Sequence, residues 1–176
     1  DVNDKELSSG TFVENVFTGE GRFFFSDGTW YIGGLKENRF NGKGEYHFNS
    51  DWYCTATFVD DVCEGVIQYF YKNRLVFKGD ISQNVISGSG VEYSSDNSIL
   101  YQGSYLKGQR NGAGRLTLDN GRIVETTFRK GEINGTAKVY DKDDHLLFTG
   151  SYTKNCLNGN ITKFFLVCYL YPRVNS

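Results

Sequence analysis

Residues 101–121 read YQGSYLKGQRNGAGRLTLDNG. Tyr101 is followed by Gly103, then by the cluster Asn111-Gly112-Ala-Gly114, and the stretch closes on Asn120-Gly121. The same order occurs earlier as Tyr31-Ile-Gly33, Asn41-Gly42-Lys-Gly44 and Ser50-Asp51. Extending this register in both directions places unit openings at Ser8, Tyr31, Cys54, Phe77, Tyr101, Val124 and Phe148, a period of 23 or 24 residues. The twelfth position is Gly19, Gly42, Gly65, Gly88, Gly112, Gly135 or Gly159, without exception. A fixed period of this length denotes an array of stacked units that bury one another, not one globular core.

Each unit alternates apolar and polar residues twice, with glycine-rich breaks between, which predicts two antiparallel strands per unit. Asn41-Gly42, Asn111-Gly112, Asn134-Gly135 and Asn158-Gly159 are expected to make the turns, because Asn and Gly tolerate positive φ. Positions one, three and five share a face, since side chains alternate along a strand. They read Tyr31/Gly33/Leu35, Phe77/Gly79/Ile81, Tyr101/Gly103/Tyr105 and Phe148/Gly150/Tyr152. A ring at position one beside glycine at position three predicts ring-over-glycine packing between neighbouring hairpins. Phe23/Phe25, Tyr46/Phe48, Tyr69/Tyr71 and Leu116/Leu118 are expected to join the same core.

These residues resemble the MORN repeat family, whose pattern is Y-x-G-x4-G-x3-G-x-G-x5-D-G. Gly10, Gly33, Gly79, Gly103 and Gly150 match its third position, and Gly21, Gly44, Gly90 and Gly114 its fourteenth. Asp27-Gly28 and Asn120-Gly121 match its closing turn. The units at Cys54 and Val124 depart most, with Ala56, Ile67, Thr126 and Ala137 at glycine positions. The resemblance implies an all-β fold, an elongated single-layer array of about seven antiparallel hairpins. It divides the chain into a polar lead (1–7), the array (8–165) and an apolar tail (166–176) that caps the last hairpin or pairs two chains. It also implies a scaffold for a protein partner, such as a helical segment, in cytoskeletal or ciliary assemblies. Residues 131–152 further resemble the repeat region that precedes the catalytic domain of some SET-domain lysine methyltransferases, whose own catalytic motifs are absent from this sequence.

Composition agrees with strands and tight turns: 21 Gly, 16% aromatic residues and one Pro. A net charge of −2 excludes a globally basic nucleic-acid binder. The longest apolar run, residues 164–171, is far shorter than the roughly 18 residues of a spanning helix. Cys54, Cys63, Cys156 and Cys168 have no C-x-x-C spacing and no histidine set around them, so neither a metal nor another cofactor is expected. Reduced thiols and a cytoplasmic location are the expectation. No catalytic constellation is visible, and Gly88-Ser-Gly90 belongs to the repeat register, so no enzymatic activity is expected.

Two sets of candidate site residues remain. The position between the second pair of core residues reads Phe24, His47, Phe70, Tyr93, Thr117, Tyr140 and Phe164. Period two sends it to the opposite face, where Phe24, His47, Phe70, Tyr93, Tyr140 and Phe164 form a stripe for a partner or stack upon themselves. The second set comes from charge: residues 1–88 balance to −5 and residues 89–176 to +3. Lys107, Arg110, Arg115, Arg122, Arg129 and Lys130 are candidates for an anionic protein or lipid head group, against the alternative of an ordinary solvated surface. Arg110 stands where other units carry Phe17, Phe40, Cys63, Ile86, Ile133 or Leu157.

Overall fold

A computed structural model of the chain describes residues 10–163. The strands are β1 (Gly10–Val13), β2 (Val16–Phe24), β3 (Trp30–Lys36), β4 (Arg39–His47) and β5 (Trp52–Val59). They continue as β6 (Val62–Tyr71), β7 (Arg74–Ser82), β8 (Val85–Tyr93), β9 (Ile99–Leu106) and β10 (Gln109–Thr117). The last are β11 (Ile123–Arg129), β12 (Glu132–Ile133), β13 (Gly135–Tyr140), β14 (Leu146–Thr153) and β15 (Cys156–Lys163). All belong to one antiparallel sheet whose spatial order is the chain order, with β12 beside β11. The described residues contain no helix, and the sheet is an elongated open array of sequential hairpins.

The turns within units lie elsewhere than the Asn-Gly pairs. They are two-residue turns at Glu14-Asn15, Glu37-Asn38, Asp60-Asp61, Gln83-Asn84, Lys107-Gly108, Lys130-Gly131 and Lys154-Asn155. Every residue of these turns has positive φ, from 48° to 83°. Two successive positive-φ residues match the right-handed twist of the flanking strands.

The Asn-Gly pairs sit inside the second strand of each unit, at a bulge. Leu35 faces Phe40 and Gly33 faces Gly44, so Gly34 alone spans the three residues Asn41–Lys43. The same shift recurs in β9/β10, β5/β6, β7/β8 and β14/β15. In the unit opening at Val124 it splits the second strand into β12 and β13. The twelfth-position glycine has φ between 86° and 146° in all seven units and lies within the bulge in the six that follow β1/β2, whose described pairs, Gly19 with Gly10 among them, run without a shift. That backbone conformation is strained for any residue with a Cβ, which explains a glycine period without exceptions.

Cross-strand partners bring the third and fourteenth positions into one row: Gly21, Gly33, Gly44 and Ala56, then Ile67, Gly79, Gly90, Gly103, Gly114 and Thr126. Rings lie over this row. A Cβ on Gly114 would stand 2.5 Å from Tyr101 Oη, and one on Gly79 2.5 Å from Phe77 Cζ. Tyr31 and Tyr101 are completely buried, and their hydroxyls donate to the carbonyls of Gly34 (3.1 Å) and Ser104 (3.3 Å). The opening ring therefore covers glycines of its own unit, and at Gly90 the expected packing between neighbouring hairpins is also present, a Cβ there standing 2.6 Å from the Tyr105 ring of the next unit. Of the second core set, Phe25, Phe48 and Leu118 are exposed, because they lie past the glycine row beside the turns between units.

Adjacent units are clasped through their turns. Asn38 donates its N–H to the Phe17 carbonyl (3.1 Å) and accepts the Phe17 N–H on Oδ1 (2.8 Å). Asp61 does the same to Phe40, Asn84 to Cys63 and Asn155 to Ile133. Gly108 and Gly131 keep only the backbone arm, to Ile86 (2.8 Å) and Arg110 (2.9 Å).

Candidate functional site

The face opposite the core carries the aromatic stripe, and in the first half of the array it is a ladder. Phe24 packs on Trp30, Trp30 stacks on His47 (centroids 3.3 Å), His47 on Tyr53 (4.8 Å) and Tyr53 on Phe70 (4.7 Å). Trp30 and Tyr53 complete it; they stand on the strand opposite each stripe position, where cross-strand registration was the signal to look for. His47 is 9% exposed. Burial lowers its pKa below the ordinary histidine value, against the opposing pull of Glu45, whose Oε2 lies 3.2 Å from Nε2. A neutral imidazole fits a stack of neutral rings. Phe24, His47 and Phe70 thus share one surface.

Tyr93 and Tyr140 stand apart from the ladder. Tyr93 lines a shallow groove with Lys78, Asp80, Ser89 and Val91. Tyr140 donates to Glu125 Oε2 (2.8 Å), and Arg115 bridges Glu125 and Asp144 beneath it. Phe164 lies outside the described residues, as do the tail and the end-to-end contact expected of it.

The six basic candidates do not form one patch. Lys107 and Lys130 occupy turns within units, Arg122 a turn between units on the other edge, and Arg115 and Arg129 the face opposite the core. Arg110 points to the core face. Its Nε donates to Glu92 Oε1 (2.8 Å) and its Nη2 to Glu92 Oε2, while Tyr105 Oη donates to the same carboxylate. The guanidinium lies 4.4 Å from the Tyr101 ring centroid. Glu92 was not singled out from the sequence. It occupies the position of Phe23, Tyr46, Tyr69, Leu116 and Val139, which only Lys163 of the last unit also breaks, and an acid inside that column is the signal for a half-buried partner.

Asp141, Asp143 and His145 bring potential ligand atoms within 4.8 Å of one another. The Asp141 carboxylate accepts the N–H groups of Asp143 and His145. Asp27, Asn49, Asp96 and Asn120 likewise accept the N–H two residues on in the other turns between units, so side-chain capping of a turn accounts for the Asp141 contacts without an ion.

A MORN repeat model matches residues 9–30, 31–52, 77–99 and 101–121. No curated protein matches the chain with significance. The matched stretches make up half of the chain and include the units opening at Tyr31, Phe77 and Tyr101, while the units at Cys54, Val124 and Phe148 fall outside them. With the bulged hairpin, the glycine row and the sequential sheet, they show that the chain belongs to the MORN repeat family, a repeat-based binding or scaffold module that is generally non-catalytic.

Proposed function

We propose that this array is a non-enzymatic scaffold that holds a protein partner on the aromatic edge of its first half, as a cytoplasmic component of a cytoskeletal or ciliary assembly. The carrying observation is the crowding of exposed rings around two successive turns between units. Phe24, Phe25, Phe48 and Trp52 are each 39–44% exposed. Tyr46 joins Phe25 to Phe48 (6.0 and 5.3 Å), Phe24 extends the patch to the ladder face, and Trp52 carries it to Tyr71 (4.9 Å). Single exposed apolar residues are ordinary; a contiguous row of them marks an interaction surface. The equivalent edge of the second half offers Ser94, Ile99, Leu118 and Asp141, with no exposed ring among them. The scaffold use of the family and its generally non-catalytic character support this reading.

The test places a photo-crosslinking residue at Phe48 and, as control, at the equally exposed Val85. A discrete adduct from native extract at position 48, absent at 85 and diminished by Trp52→Ser with melting unchanged, is the expected result. No adduct above the control, or a large loss of stability in Trp52→Ser, overturns it.

A further inference from the structure

The turns within units form one edge of the sheet, and their first residues make a row: Glu14, Glu37, Asp60, Gln83, Lys107, Lys130 and Lys154. All seven are exposed. The charge runs from three acids through one neutral residue to three lysines, so sign inverts about Gln83. None of these six charges takes part in an ion pair among the described residues. Successive tips stand two strand spacings apart, about 10 Å, close to the screening length at 0.1 M salt. The tips nearest Gln83 carry the inversion: exposed Asp61 adds a second acid beside Asp60, while at the next tip exposed Lys36 and Arg39 outnumber Glu37. Lys36 and Arg39 behind Glu37, and Arg129 and Glu132 behind Lys130, lie one rung back from the edge.

A row whose sign inverts about its middle is complementary to itself when a second copy is turned end for end. We infer that the tip row is a contact surface for a second copy of this chain, paired antiparallel about a two-fold axis at Gln83. Asp60 then faces Lys107 of the other copy, Glu37 faces Lys130 and Glu14 faces Lys154. A contact of this kind is isologous, each surface serving both partners. Sheet twist makes the row wind, so the pairs nearest the axis carry the contact and the outer charges orient the encounter. No other partner follows so directly, because the pattern that must be matched is carried by the chain itself. This contact is independent of the aromatic edge, which occupies the opposite rim of the sheet.

Charge exchange tests it without threatening the fold. Lys at 107, 130 and 154 has φ of 50–52° and Glu at 14 and 37 has 49° and 54°, so each residue type already occupies this backbone conformation. Sedimentation of the full chain at about 10 mM and 300 mM salt is expected to show a dimer whose dissociation constant rises at least tenfold with salt. Glu14→Lys/Glu37→Lys/Asp60→Lys gives a monomer at low salt. Adding Lys107→Glu/Lys130→Glu/Lys154→Glu to that variant restores the dimer, because the reversed row is again self-complementary. A wild-type monomer at low salt, a dimer indifferent to salt or to the triple reversal, or failure of the sixfold exchange to restore pairing each overturns the inference.

Discussion

The units opening at Tyr31 and Cys54 are neighbours with the same register and different interiors. In the first, a fully buried ring lies over Gly33 and Gly44. In the second the ring is gone, and Cys54 (4% exposed), Ala56 (7%) and Ile67 (2%) fill the same space from both strands. The unit at Val124 repeats this exchange with Thr126 and Ala137, which is completely buried. At Tyr31, Phe77 and Tyr101 the opening ring stands with glycine at position fourteen, and at Cys54 and Val124 a smaller opening residue stands with Ile67 or Ala137; Phe148 with Ile161 departs from this pairing. Units that look degenerate as sequence still bury their opening and fourteenth residues, as Cys54, Ile67, Val124 and Ala137 show, because a core accepts apolar exchanges that keep its volume. Glu92 and Arg110 extend the same lesson to charge, replacing two apolar positions at once.

The largest effect that breaks this comparison is loss of the ring. Tyr31→Ala should cost about 4 kcal/mol by leaving a cavity, whereas Cys54→Ala should cost about 1 kcal/mol. Thermal and urea unfolding would read both, and equal costs would show that the two units do not differ in how they fill their interiors. Moving one solution into the other unit sharpens the point. Gly114→Ile alone should cost about 3 kcal/mol through collision with the Tyr101 ring. Combined with Tyr101→Cys, it should cost about 2 kcal/mol less than the sum of the single changes. Strict additivity in the double-mutant cycle would refute the coupling.

The ion pair gives the next effect. Arg110→Leu should cost about 2 kcal/mol by stranding Glu92, while Glu92→Leu/Arg110→Leu should fall close to wild type. Burial would raise the Glu92 carboxyl pKa, but the Arg110 and Tyr105 hydrogen bonds outweigh it and hold the pKa below the ordinary value. A depressed folded pKa contributes stability above the unfolded value, and that contribution is lost as pH falls through the folded one. Denaturation followed below about pH 4.3 should therefore be steeper for wild type than for Glu92→Gln. The smallest effect concerns the clasps. Asn38→Gly should cost about 1 kcal/mol, and Gly108→Asn should gain about 0.5 kcal/mol by adding the missing arm to Ile86. Hydrogen exchange at the Phe17 and Ile86 amides would report each clasp separately.

Much of this fold was legible because repetition multiplies weak signals. Seven glycines in phase located every unit, and period two separated the core face from the ladder face. The bulge was not legible: Asn-Gly marks positive φ, and positive φ serves a bulge as well as a turn. The true turns hide in pairs such as Glu37-Asn38 and Asp60-Asp61, which carry little glycine. At the candidate site, Phe24, His47 and Phe70 could be placed on one face, yet Trp30 and Tyr53 emerged only once register was known. The basic cluster dispersed because closeness in sequence along a meander scatters residues over two edges and two faces. Arg110 was visible as an interruption of an apolar column, but its partner lies eighteen residues earlier and required the register to find.

The agreement of spatial order with chain order has a consequence for how the molecule comes into being. Each new hairpin needs only the strand before it, so pairing can advance like a zip as the chain emerges, with no distant segment to await. Loop-closure entropy is then met in short instalments, and low contact order predicts rapid folding for an all-strand protein. Removal or insertion of one whole unit leaves every other register intact, which makes array length a quantity that can change by whole steps.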